Sequence, residues 1–424
     1  MKEENSKEFL TKKIPVIFEE NKNGKIFPDE YVNNVAYWGN ISKKDLHSCF
    51  KDGTAKMLTM DLDFGDSCSL RCPHCFRRDD RFDKISLGKS LTDEEIYDYI
   101  KQAKKLGLKE IKILGRGEPF QNKKFLKFLR DMTKLNIGVA IFTKGHVLGS
   151  DSLAKAYNKD YGIETAEDLV KEIKKLKVSI LLGFNSFSKK IQEEYIGADK
   201  SPIKNYVKLR DNALVLLTKH GFNEYKKGKP TRLCLCAAPI KPESIWDFVD
   251  IYKWGRIRNM YVLTCPTTVS GKGVDEFKRA VKTYHVKNQT KSDHERYVEE
   301  IEDLYAQIYI WAIKTNLISL KKFKEEGVSL YPGCHPCNQT AAGFFLNLSG
   351  QVVQCPGRST GNALFAKDIR EYKNLKELWT SCLNYKRAKN SKAFNFHCVA
   401  RDGHSLPGNF YSNIKEKVFT ELKK

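Results

Sequence analysis

The stretch Met57-Leu-Thr-Met-Asp-Leu-Asp-Phe64-Gly-Asp-Ser-Cys68-Ser-Leu-Arg-Cys72-Pro-His-Cys75 decides the reading of this chain. Residues 57–64 predict a strand, and three cysteines follow it at spacings of three and two intervening residues. Three thiolates on one tight loop can hold three irons of a [4Fe–4S] cluster and leave the fourth iron to a ligand that is not protein. Zinc is the alternative, with His74 or His47 as fourth ligand, although zinc sites usually show C-x2-C pairs.

Working outward, strands and helices alternate. Thr92 with Glu95 has the spacing of a capping box and opens a helix carrying Ile96, Ile100 and Ala103 on one face. Glu110–Leu114 predicts a strand, Asn122–Leu135 a helix and Ile137–Phe142 an apolar strand. Thr165 with Asp168 opens another helix, and strands Lys177–Phe184, Thr231–Ala238 and Arg258–Thr264 follow. This is the pattern of βα units on a parallel sheet. Six strands between Met57 and about Val274 are too few for an eight-unit barrel of about 250 residues. The expected fold class is therefore α/β, a partial (βα)6 TIM-like barrel with a small C-terminal cysteine-rich domain. The expected division is an N-terminal extension over 1–56, the barrel over 57–285, a helical linker over 286–327 and the cysteine-rich domain over 328–424. In such a sheet the reactive site belongs at the C-terminal ends of the strands.

The cysteine loop sits at such an end, and there the residues resemble a family. C-x3-C-x2-C after the first strand is the signature of the radical S-adenosylmethionine (SAM) enzymes. The resemblance implies a cluster on Cys68, Cys72 and Cys75 whose open iron chelates SAM, one-electron cleavage of SAM to a 5′-deoxyadenosyl radical, and hydrogen abstraction from a substrate. Gly115-Arg-Gly117-Glu118-Pro119, after the next strand, is similar to the family's Gly-Gly-Glu-Pro motif, which implies that Glu118 receives SAM's amino group. Ile141-Phe-Thr143-Lys-Gly145 resembles Thr-Asn-Gly. Gly183-Phe-Asn185-Ser186 partly resembles the ribose-binding segment, with Asn185 where the family often has Asp.

Cys337-x12-Gly350-x4-Cys355 is similar to the opening of the SPASM and Twitch auxiliary domains, and Phe344–Gln354 predicts a hairpin with its turn between Asn347 and Gly350. Cys382 and Cys398 can complete four ligands, with Cys334 as an alternate. A SPASM domain brings more cysteines than the five here, so one Twitch-like auxiliary [4Fe–4S] cluster is expected, against a zinc site on Cys334, Cys337, Cys355 and one of Cys382 or Cys398. Cys265 ends the sixth strand, where a thiol can donate hydrogen to a substrate radical; Cys234 and Cys236 are read as buried small hydrophobes.

Twelve cysteines in 424 residues, with a charged Met1–Lys13 and no long apolar stretch, predict a cytoplasmic, membrane-free protein whose cysteines serve metals rather than disulfides. The net charge of +22 is spread along the chain, densest at Lys219, Lys226, Lys227, Lys229 and Arg232. It suits a solvated surface, or a groove for RNA, an acidic peptide or a phosphorylated substrate. Family precedent implies a peptide or protein substrate and a small reducing partner such as a flavodoxin or ferredoxin. Modification of a sugar, nucleotide or RNA is the second enzyme reading, and a zinc-stapled basic RNA-binding protein the non-enzyme one.

Overall fold

The computed structural model describes residues 5–38, 44–45, 56–77, 89–114, 116–332, 342–357, 364–382, 398 and 400–424. Gly115, Cys334 and Cys337 lie outside the described residues. The six predicted strands are present as β1 (Thr59–Leu62), β2 (Glu110–Ile113), β3 (Gly138–Thr143), β4 (Ser179–Gly183), β5 (Leu233–Ala237) and β6 (Tyr261–Thr264). Each pairs in parallel with the next, and helices fill the connections. All are buried along most of their length, as expected of strands covered on both faces. The helices begin where local chemistry directs. Thr92 and Glu95 exchange both capping-box hydrogen bonds at helix Asp93–Lys105, and Thr165 and Asp168 do so at helix Ala166–Lys175.

Three further strands, β7 (Gly343–Leu346), β8 (Val352–Val353) and β9 (Leu364–Ala366), extend the sheet rather than forming a separate one. The order is β6-β5-β4-β3-β2-β1-β7-β8-β9, with β6 and β9 at the ends. β7 and β8 form the predicted antiparallel hairpin, with Gly350 at φ +85° in its turn. β7 also lies parallel to β1, Thr59 opposite Gly343. A Cβ on Gly343 would stand 1.8 Å from the Thr59 carbonyl oxygen, so only glycine allows that approach.

The N-terminal extension, in which the sequence shows no periodicity, folds against the barrel. Helix Ser6–Lys13 packs on helix Tyr206–Lys219, and the Ser6 hydroxyl donates to Asp211 at 2.7 Å. Val35 bridges to Thr231, which carries Trp38 against Phe142 with ring centroids 5.1 Å apart. At the other end of the chain, helix Phe410–Lys423 returns along helix Asp293–Lys314. No helix of the described residues is long and apolar enough to cross a membrane.

Candidate active site

One cavity of about 280 Å³ opens at the C-terminal ends of the strands. Its walls include Cys68, Cys72 and Cys75 from the loop after β1, Gly117 and Glu118 after β2, and Thr143 and Lys144 at the end of β3. Cys265 after β6, Cys355 after β8 and Cys398 line the same space. Residues predicted from six separate stretches of sequence are thus brought to one place.

The cysteine loop is held from three sides. Glu118 N–H donates to Ser67 O at 2.8 Å, and Arg71 N–H donates to Ile196 O at 3.0 Å. The Gln121 side chain clasps Ser69, accepting from its N–H at 2.9 Å and donating to its hydroxyl at 2.6 Å, while Ser201 donates to Ser69 O at 2.9 Å. Two glycines permit the closeness: a Cβ on Gly117 would meet Ser67 O at 2.5 Å, and one on Gly197, at φ +63°, would meet Arg71 O at 2.2 Å. Gln121 and Ser201 were not singled out from sequence. Gln121 lies two residues beyond Pro119, the only available signal.

Glu118 is 4% exposed, and each of its oxygens has a donor. Oε1 accepts from the Thr143 hydroxyl at 2.5 Å and Oε2 from Lys144 N–H at 2.8 Å. Burial nevertheless pushes its pKa upward, the cost of a desolvated carboxylate, with these donors opposing. A cation arriving beside it would relieve that cost. Burial also raises the Cys72 thiol, opposed by the nearby Lys144 charge. His74 turns its ring edge to Tyr195, its Nδ1 has no partner among the described residues, and burial holds its pKa well below the usual range, so the ring is a neutral wall.

Asn185 and Ser186 depart from expectation. Both are fully buried and neither lines the cavity. Asn185 donates from Nδ2 to Ala238 O at 2.8 Å, and the backbone N–H groups of both residues donate to Gln192 Oε1. The Ser186 hydroxyl donates to Asp247 at 2.6 Å. These internal bonds spend the polar groups that a ribose would need. Gly183 lines the cavity in that segment instead. Pro119 is buried in the turn after Glu118, and Cys382 is buried beyond helix Leu375–Ser381, away from the cavity walls.

The donor chemistry can be tested against a metal group. No disulfide joins two of the described cysteines, and among the described residues no three His, Cys, Asp or Glu side chains converge closely enough for one metal ion. Ligands of a multi-iron cluster are spread around several atoms and stand farther apart than those of a single tetrahedral zinc. Three thiols of one short loop facing one cavity, beside a buried carboxylate, suit the [4Fe–4S] group and its SAM.

Comparison with known proteins follows the same lines. Residues 62–255 match the Radical SAM superfamily family model. A probable GTP 3′,8-cyclase of Pyrococcus horikoshii is 25% identical over 149 residues, covering 35% of this chain and 44% of the relative. A GTP 3′,8-cyclase of Clostridium perfringens is 27% identical over 109 residues, covering 25% and 33%. The chain therefore spans less than half the length of these curated relatives. Among solved structures, Streptococcus suis SuiB bound to precursor peptide SuiA has a TM-score of 0.45 at 19% identity, covering 82% of this chain and 70% of that one. Native anSMEcpe with bound AdoMet has a TM-score of 0.47 at 14% identity, covering 86% and 98%. The matched segment, residues 62–255, holds the cysteine loop, Glu118 and Thr143, and over it the chain is similar to the radical SAM superfamily.

Proposed function

We propose that this enzyme takes a hydrogen atom from a peptide or protein substrate, with a second iron–sulfur group facing the same cavity. Cys68, Cys72 and Cys75 would hold a [4Fe–4S] cluster, which would supply the electron for reductive cleavage of SAM to methionine and a 5′-deoxyadenosyl radical. The chain's own residues do the remaining work. Glu118, held by Thr143 and Lys144, receives the ammonium of SAM's methionine end. Trp38, Phe142, Leu181, Leu263 and Phe344 wall the cavity with apolar surface, which excludes water from a reactive radical.

The observation that carries the reading is the single cavity joining the cysteine loop and Glu118 to Cys355 and Cys398. A substrate placed there lies between two thiol-bearing ends. The likeness of Cys337-x12-Gly350-x4-Cys355 to the auxiliary domains of peptide-modifying enzymes supports a peptide. A nucleotide is the second reading, favoured by Lys112, Arg116 and Lys144 in the cavity wall and by the GTP 3′,8-cyclase relatives.

The test is anaerobic incubation of reconstituted protein with SAM and dithionite, with 5′-deoxyadenosine followed by mass spectrometry. Release that rises with a short peptide encoded beside the gene, together with a mass change in that peptide, supports the proposal. Release stimulated by GTP instead transfers the support to the nucleotide reading.

A further inference from the structure

Arg401 is 6% exposed and sits between sulfur atoms. Its guanidinium donates to Cys265 Sγ at 3.1 Å and to Cys398 Sγ at 3.3 Å. Its other partners are the Thr268 hydroxyl at 2.7 Å, the Pro266 carbonyl at 2.8 Å and the Tyr331 hydroxyl at 3.4 Å. Among the described residues no carboxylate pairs with it. A buried guanidinium without a counter-charge is costly, and neutral thiols do not provide one. Thiolates do, and metal ligation is what keeps a buried thiol deprotonated.

The sulfurs around Arg401 come from three distant parts of the chain. Cys265 follows β6, Cys355 follows β8, and Cys398 lies in the C-terminal region. Gly357 seats Cys355 beside the segment that follows Cys398: its N–H donates to Cys355 Sγ at 3.4 Å, and a Cβ there would meet Thr268 Cγ2 at 2.6 Å, Ala400 Cβ at 3.0 Å and Cys355 Sγ at 3.7 Å. All three cysteines line the cavity, whereas Cys382 does not. Tyr331, which touches Arg401, precedes Cys334 by three residues and Cys337 by six in the sequence.

We propose that the second iron–sulfur site takes Cys265 from the barrel itself as a ligand, beside Cys355 and Cys398, and that Arg401 is its positioning residue, donating to two ligand sulfurs. Cys382 is not a ligand, and Cys265 is not a free hydrogen donor. Each thiol loses its proton to solvent on binding iron and its sulfur stays at the thiolate oxidation level, while the mixed iron valences of the cluster are set by the iron salt and thiol reductant used in reconstitution. The cation beside the sulfurs favours the more negative, reduced state, so Arg401 holds the cluster's midpoint potential up. The inference rests on the reading that the C-terminal cysteines hold a cluster.

The experiment isolates this site in the full-length Cys68→Ala/Cys72→Ala/Cys75→Ala variant, reconstituted anaerobically with iron and sulfide. About four irons per chain and a reduced-cluster EPR signal are expected to remain. Adding Cys265→Ser should lower the iron or change the EPR signal, while adding Cys382→Ser should leave both as they were. Full iron and an unchanged signal with Cys265→Ser overturn the assignment of Cys265. A triple variant that holds no iron, from a parent that holds about four, overturns instead the reading of an auxiliary cluster. Should Cys265→Ser fail to fold, Arg401→Met in the triple variant carries the test. A midpoint potential moved to more negative values supports the site, and an unchanged potential and EPR signal overturn it.

Discussion

The Thr143 hydroxyl stands 2.5 Å from Glu118 Oε1, so the end of β3 holds the carboxylate that follows β2. Removing this donor leaves one buried carboxylate oxygen without its bond, at a cost of about 1–3 kcal/mol. Thr143→Val is therefore expected to weaken SAM binding by roughly tenfold or more, and Glu118→Ala to weaken it further. Calorimetric titration of SAM into reconstituted protein measures both. Equal affinity in all three proteins would remove Glu118 from the SAM site.

Gly117 and Gly197 let neighbouring backbone reach the cysteine loop. Gly117→Ala and Gly197→Ala each force a methyl against a carbonyl oxygen and must displace that loop. We expect both variants to fold, since the clash is local to a surface of the cavity, but to bind less iron per chain on reconstitution. Iron and sulfide analysis of the two variants, alongside their circular dichroism, checks this.

Glu110 gives a pH dependence. It is 4% exposed in β2, its Oε1 has no hydrogen-bond partner among the described residues, and burial pushes its pKa up from 4.5 to about 7, with Lys112 opposing. The folded chain thus holds this proton more tightly than the unfolded one. Its stabilising share is complete below about pH 4.5 and is lost as pH rises through about 7. Glu110→Gln keeps the shape without the charge, so its advantage over the parent should grow by about 1–3 kcal/mol between roughly pH 5 and pH 8. Denaturant midpoints across that range would show it, and a pH-independent difference would contradict it.

Arg370 ties the segment after β9 to the start of helix Asp93–Lys105. It donates from Nε to Glu95 Oε1 at 2.7 Å and from NH2 to Oε2 at 3.1 Å, and also to the carbonyls of Lys89 and Ser90. The guanidinium holds the Glu95 carboxyl down at about 2. The depressed folded pKa means that this contribution is present above about pH 4.5 and is lost as pH falls through about 2. Solvent reaches both side chains, so Arg370→Met should cost only about 1 kcal/mol. Thermal unfolding near neutral pH should show a small drop, and the parent and variant should converge in acid.

The barrel was legible because its signals are local. Six apolar strands, the paired caps at Thr92 and Thr165, and motifs at strand ends each declare themselves within a few residues. Cys68, Cys72, Cys75, Glu118 and Thr143 could be placed at one cavity for the same reason. Asn185 and Ser186 show where that logic stops: being at a strand end says nothing about Gln192 and Asp247, which take up their polar groups. Trp38 and Arg401 carry no local pattern, since Trp38 meets Phe142 and Arg401 meets Cys265 across more than a hundred residues of sequence. The pairing of β7 with β1 was equally hidden, because parallel register is set by two strands meeting in space.

That pairing has a consequence for how the chain is made. During synthesis β1 (from Thr59) precedes β7 (from Gly343) by most of the barrel, yet one of its two hydrogen-bonding edges is completed only by β7. Until then the growing protein exposes an unsatisfied apolar strand edge beside the cysteine loop. Such edges recruit other chains, and contacts this distant in sequence close slowly. Truncations that remove β7 should therefore yield aggregating protein rather than a smaller barrel, and the protein's yield in a host should depend on how well that open edge is shielded before β7 arrives.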